Sequence, residues 1–133
     1  MSYTINRTFP NGDFEDLDAR TRKALADNGF GVLTEIDVKA TMKKKLDKDM
    51  PAYRILGACN PGMAWQAIGM EPRVGAMLPC NVIVEENEQG TLVRIVDPAA
   101  MMKAGGFEDD PALQEVGGEA GARLQRVADA LSV

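Results

Sequence analysis

Two cysteines, each followed directly by an asparagine, are the most chemically distinctive residues of this chain: Cys59-Asn60 and Cys80-Asn81. A thiol can serve as a nucleophile, as a ligand for a soft metal, or as one partner in a disulfide. The chain contains no histidine, so the usual general base and the commonest zinc ligand are both missing. Mechanisms of the Ser-His-Asp and Cys-His types are therefore excluded.

Cys59 directly precedes a predicted helix start, because Asn60 is a good N-cap and Pro61 suits the first helical position. The helix dipole at such a place lowers the pKa of a thiol, as it does in many reactive cysteines. Free cysteine is also among the most buried residue types, so Cys59 and Cys80 have an alternative interpretation as small apolar filler. Asn60 and Asn81 likewise have structural explanations beside the functional ones.

The spacing of the two cysteines is not that of a Cys-x-x-Cys motif. If the strands that carry them are neighbours, the thiols could still form a labile disulfide or, with a methionine, a soft-metal site. The chain has eight methionines, although core packing also explains their spacing. No dedicated metal-ligand pattern is predicted, and the sequence identifies no cofactor.

A lysine-rich segment offers a second candidate for binding. Lys39 and Lys43 lie one helical turn apart and could present an anion site. The alternative interpretation is an ordinary solvated helix face with cations near the helix end.

Hydrophobic periodicity predicts the elements that position these residues, in the order β-α-β-α-β-α-β-β-α-α. Strands are predicted at residues 2–9, 30–36, 53–58, 80–86 and 91–96. Predicted helices begin at five N-caps: Asp13, Asp37, Asn60, Asp97 and Asp110. The pattern indicates a single α+β domain over residues 1–133, with a mixed sheet of about five strands and helices packed mainly on one face.

The last predicted helix has an apolar stripe that three glycines interrupt: Gly117, Gly118 and Gly121. Each glycine costs a helix about 1 kcal/mol relative to alanine. We therefore expect this helix to kink, to fray, or to pack closely on a partner.

Composition narrows the class of protein. The chain has 133 residues, 45% of them hydrophobic, and a net charge of −5. Nucleic-acid binding is not expected, because duplex affinity rests on basic residues that neutralise phosphates. No membrane segment or signal peptide is predicted. These features favour a soluble cytoplasmic protein with free thiols.

Four segments closely resemble the signature of the bacterial and archaeal family catalogued as domain of unknown function 302: residues 35–39 (EIDVK), 53–61 (YRILGACNP), 78–82 (LPCNV) and 97–98 (DP). The resemblance extends from Tyr3 to Leu131. It implies a small α+β fold, often a homodimer, with no established biochemical activity. Five residues match its motif positions and form the candidate pocket: Lys39, Cys59, Asn60, Cys80 and Asn81.

The leading hypothesis is a homodimeric binding or accessory protein whose pocket takes a small anionic or thiol-reactive ligand. A second hypothesis is a thiol-dependent enzyme, or a redox or soft-metal protein, in which Cys59 is the nucleophile and Lys39 lowers its pKa. A third is a structural module that dimerises through the final glycine-bearing helix.

Overall fold

The computed structural model describes residues 3–107 and 109–131. Its sheet has five strands: β1 (Thr4–Phe9), β2 (Gly31–Asp37), β3 (Tyr53–Cys59), β4 (Cys80–Asn87) and β5 (Gly90–Val96). Their order across the sheet is β1-β5-β4-β3-β2, and every neighbouring pair is antiparallel. The predicted α+β class and strand number are confirmed, whereas the sheet is antiparallel rather than mixed. The reason lies in the connections after β2, β3 and β4, which each return the chain to the adjacent strand without a crossover.

The helices are α1 (Phe14–Asp27), α2 (Val38–Leu46), α3 (Pro61–Met70), α4 (Pro98–Ala104) and α5 (Pro111–Ala130). A 3₁₀ helix (Pro72–Met77) follows α3, in a segment predicted as a plain connection. Each α-helix begins at its predicted cap, whose side chain accepts a backbone N–H: Asp13, Asp37, Asn60, Asp97 and Asp110. These caps satisfy donors that a helix start otherwise leaves without a partner.

One face of the sheet forms the main core under α1 and α5. The buried strand residues are Leu56, Ala58, Val82, Val84, Val93 and Ile95. The two helices contribute the apolar stripes that helical spacing predicts, among them Leu17, Leu25, Leu124 and Val127. Together they form the larger of two buried clusters.

A second, smaller cluster lies beyond the end of the sheet, where α3, the 3₁₀ helix, α4 and the first turns of α5 meet. Its buried members are Ala67, Val74, Met102 and Leu113. Because α5 contributes to both clusters, it joins this region to the main core.

The opposite face of the sheet carries a row of three isoleucines, since Ile36 lies opposite Ile55 and Ile55 opposite Ile83. Simple alternation predicts that Val32 and Ile36 share a face. A bulge at Leu33 instead places Val32 opposite Ala58 on the core face. The extra residue of a bulge reverses the alternation beyond it, so Ile36 lies on the outer face and is 49% exposed.

No helix among the described residues combines the length and apolar character needed to cross a membrane.

Candidate functional site

Strands β3 and β4 bring the two cysteines to the same end of the sheet. Cys59 is the last residue of β3, and Cys80 begins β4 opposite Ala58. The sequence allows the two thiols to meet only if their strands are neighbours. Strands β3 and β4 are neighbours, so this condition is met. Gly57 permits a close approach there, because a Cβ at this position would overlap Thr34 Oγ1 and lie 2.7 Å from Cγ of Pro79.

A cavity of about 50 Å³ lies at this end of the sheet, between the two buried clusters. Residues from β3, β4 and helices α3, α4 and α5 form its wall, with further contributions from the loops and the 3₁₀ helix. They are Phe30, Ala58, Cys59, Asn60, Met63, Ala64, Ala67, Val74, Leu78, Cys80, Pro98, Met102, Val116, Gly117 and Ala120. None of them carries a charge, so the two thiols and the Asn60 amide are the polar groups of an otherwise apolar wall.

The environment of Cys80 is set by this apolar wall. Burial is the larger cause and the neighbouring Cys59 the smaller one that together raise the pKa of the Cys80 thiol to about 11. Cys80 is therefore a protonated thiol at neutral pH. Cys59 is half-buried and also unpaired with another cysteine.

Two methionines complete a group of four sulfur atoms around the cavity. Met63 comes from α3 and Met102 from α4. Gly117 of α5 makes room for Met102, because a Cβ there would lie 2.7 Å from Sδ of Met102. Of the outcomes predicted for the glycine-bearing helix, close packing is the one observed at Gly117. From the sequence, core packing is one explanation for the methionines, and a thiol–methionine metal site is the other.

Asn60 is positioned by two hydrogen bonds. Its Oδ1 accepts the backbone N–H of Met63 at 3.0 Å, and its Nδ2 donates to the carbonyl of Gly29 at 3.0 Å. The residue also lines an open groove of about 860 Å³ between α3 and α5, together with Met63 and Val116. Since these three residues line both spaces, they separate the cavity from the groove.

Asn81 does not belong to the cavity. Successive residues of a strand point to opposite faces, and Asn81 pairs with Gly57 on the face away from the core. Its side chain is exposed. The sequence-based grouping of Asn81 with Cys80 in one pocket is therefore corrected.

Lys39 is also separate from the cysteines. It follows Asp37, which pairs with Arg54 at the start of β3. From Arg54 to Cys59 the strand extends for about 17 Å, so Lys39 and Cys59 lie at opposite ends of it. Lys39 is therefore too far from Cys59 to act on its thiol directly.

The surroundings of Lys39 are rich in carboxylates. A shallow depression of about 310 Å³ beside it is lined by Asp13, Glu15, Asp37 and Glu86 as well as Arg54. On the same helix, Lys43 forms ion pairs with Asp47 at 2.9 Å and Asp49 at 3.3 Å. The lysine segment thus matches the solvated-face interpretation rather than an anion site.

Within residues 3–107 and 109–131, no three histidine, cysteine, aspartate or glutamate side chains come together as a metal site.

The fold and the site define a small α+β protein in which a thiol-lined cavity lies between the end of an antiparallel sheet and three helices. The chain belongs to the family described as domain of unknown function DUF302, whose model matches residues 5–131. The structure is similar to the crystal structure of an uncharacterised conserved DUF302 protein from Bacillus stearothermophilus. That similarity has a TM-score of 0.86 and 25% sequence identity, and it covers 99% of this chain and 100% of the other. No curated protein matches the chain.

Proposed function

We propose that this protein binds a small thiol-reactive ligand in the cavity at Cys59 and Cys80. The observation that carries the proposal is the convergence of both cysteines of the chain on one small apolar cavity. A wall without a charged residue disfavours an anionic ligand, because a buried charge needs a partner. Of the two kinds of ligand expected from the sequence, anionic and thiol-reactive, we therefore propose the thiol-reactive one.

Binding is better supported than catalysis. In thiol enzymes a base or a cation commonly activates the nucleophile, and the residues lining the cavity include neither. The raised pKa of Cys80 also opposes formation of a thiolate at neutral pH.

The open groove between α3 and α5 supplies a route of entry. It borders the cavity at Met63 and Val116. Methionine side chains change conformation readily, so a movement of Met63 would connect the two spaces.

The test compares two reagents that modify thiols, neutral methyl methanethiosulfonate and its negatively charged sulfonatoethyl analogue, with peptide mass spectrometry at Cys59. The neutral reagent should modify folded protein faster, after correction for their rates with a free thiol. The variant Ala64→Leu fills the cavity and should slow modification about tenfold or more. Ala122→Leu, on the exposed side of α5, is the matched control. Equal rates in all three proteins, or no modification before unfolding, would contradict the proposal.

We also propose that the protein is a homodimer whose interface is the outer face of the sheet. Support comes from the isoleucine row of that face, in which Ile36 is 49% exposed. Isoleucine side chains in such a row bury apolar area when two sheets pack face to face. Sedimentation should give a dimer for the native chain and a monomer for Ile55→Lys, whereas Ala122→Lys should stay dimeric. A native monomer at micromolar concentration would rule this interface out.

A cytoplasmic location completes the proposal. Both cysteines are free, as expected for a protein in a reducing compartment.

A further inference from the structure

Sulfur is the dominant donor around the cavity. Four sulfur-containing residues line it: Cys59, Cys80, Met63 and Met102. The remaining polar side chain, Asn60, already uses its Oδ1 and Nδ2 in hydrogen bonds to the backbone. A ligand in this cavity therefore meets soft donors rather than oxygen or imidazole nitrogen.

Soft thiolate and thioether ligands select soft metal ions, and Cu(I) is the biological monovalent example. We propose that the cavity binds one Cu(I) ion through the sulfur atoms of Cys59, Cys80 and Met102. This inference rests on the proposed function, because it identifies the ligand of the same cavity.

The size and the charge of the cavity agree with this assignment. A volume of about 50 Å³ suits a single ion rather than a metabolite. Hard cations such as Mg²⁺ and Ca²⁺ require oxygen ligands, which the wall lacks. Binding replaces two S–H bonds by two Cu–S bonds and releases two protons to solvent, with no change of oxidation state. The centre then carries one net negative charge beside the N-terminus of α3, whose dipole favours a negative charge.

Gly117 provides a test that leaves every proposed ligand residue unchanged in the sequence. The Sδ of Met102 would lie only 2.7 Å from the Cβ of an alanine at position 117. Gly117→Ala must therefore displace the thioether. The neighbouring residue Gly118 has open space around it, so Gly118→Ala is a matched control on the same helix.

The experiment is an anaerobic titration of the full chain with Cu(I) against the chelator bicinchoninate. We expect one Cu(I) per chain, with affinity about 100-fold lower in Cys59→Ala and in Cys80→Ala. Met102→Leu and Gly117→Ala should each lower it about tenfold, while Gly118→Ala and the distant Met42→Leu should not change it.

X-ray absorption at the copper edge gives an independent readout, and only sulfur scatterers are expected in the first coordination sphere. Nitrogen or oxygen scatterers, or an affinity that Cys80→Ala leaves unchanged, would overturn the assignment. If Cu(I) fails to bind while methyl methanethiosulfonate still modifies Cys59 in the native cavity, the ion is wrong and the proposed function stands. If neither reaches the thiols of the folded chain, both proposals fail. Circular dichroism of each variant verifies its fold.

Discussion

The guanidinium of Arg54 lies 3.1 Å from the carboxylate of Asp18, the contact joining Nη1 to Oδ2. Arg54 also pairs with Glu15 at 3.1 Å and Glu35 at 3.2 Å, and it stacks over the Phe14 ring. These partners raise the pKa of Arg54, the hydrogen bond to Glu15 most strongly. The network ties α1 to β2 and β3 at the end of the sheet away from the cysteines.

Removal of the buried carboxylate should destabilise the fold. Asp18 is 5% exposed and also pairs with Arg22 at 2.7 Å. In Asp18→Ala, two arginines lose their shared partner, and the expected loss is about 3 kcal/mol of unfolding free energy. Urea denaturation monitored by circular dichroism measures it.

Asp27→Ala is the control for this prediction, because Asp27 makes an exposed pair with Lys23 on the same helix. Exposed pairs of this spacing contribute about 0.3–0.5 kcal/mol. Equal losses in the two variants would show that the buried network adds nothing beyond a surface ion pair.

Stability should decrease at alkaline pH because of Cys80. Burial raises the pKa of this thiol from 9.0 to about 11, so the folded state holds the proton over a range in which the unfolded state releases it. The contribution of Cys80 is complete below pH 9 and disappears as the pH rises to about 11. The loss should be roughly 2 to 3 kcal/mol.

Unfolding free energies measured between pH 8 and 11, for the native chain and for Cys80→Ala, test this expectation. The alanine variant should lose less stability over this range. Parallel curves for the two proteins would show that the thiol of Cys80 titrates normally in the fold.

Gly57 should resist substitution more strongly than Gly31, its neighbour in the same strand pair. A Cβ at residue 57 would overlap Thr34 Oγ1 and crowd Pro79, whereas a Cβ at residue 31 would meet nothing within 4 Å. Gly57→Ala should cost about 1–3 kcal/mol, and Gly31→Ala should change the unfolding free energy by less than about 0.5 kcal/mol. Thermal and urea unfolding of both variants would show whether this order holds.

Alanine at the two central glycines of α5, Gly117 and Gly118, should have different effects on stability. Gly118→Ala should stabilise the protein by up to about 1 kcal/mol, because alanine favours helix and the site is open. Gly117→Ala gains the same helical preference but must displace Met102, so it should give no net gain. A stabilisation of equal size at both positions would mean that Met102 moves aside freely.

The elements of this fold were predictable because their signals are local. Asp13 and Asp110 cap their helices through contacts a few residues along the chain. The bulge at Leu33 depends on pairing with β3, which no alternation within β2 reveals. For the same reason the face on which Ile36 lies could not be predicted.

The site was predictable only in part, and the antiparallel sheet explains why. In an antiparallel sheet, the carboxyl ends of two neighbouring strands lie at opposite ends of the strand pair. Lys39 comes just after the end of β2, and Cys59 is the last residue of β3. Because these strands are antiparallel, the two residues lie at opposite ends of the strand pair. Alternation along β4 was sufficient to exclude Asn81, which directly follows Cys80 and therefore lies on the opposite face of the sheet. The contribution of Met102 required α4 and α5 to pack together, which the sequence does not state.

The pairing of β1 with β5 governs when the chain can fold during synthesis. Thr4 lies opposite Val96 and Phe9 opposite Thr91, so the first strand made pairs with the last. At roughly 5 to 20 residues per second, several seconds pass between the two on the ribosome. During that interval Ile5 and Phe9 have no strand partner, while β2, β3 and β4 already have neighbours to pair with. The sheet is therefore completed late, when the segment of β5 leaves the exit tunnel.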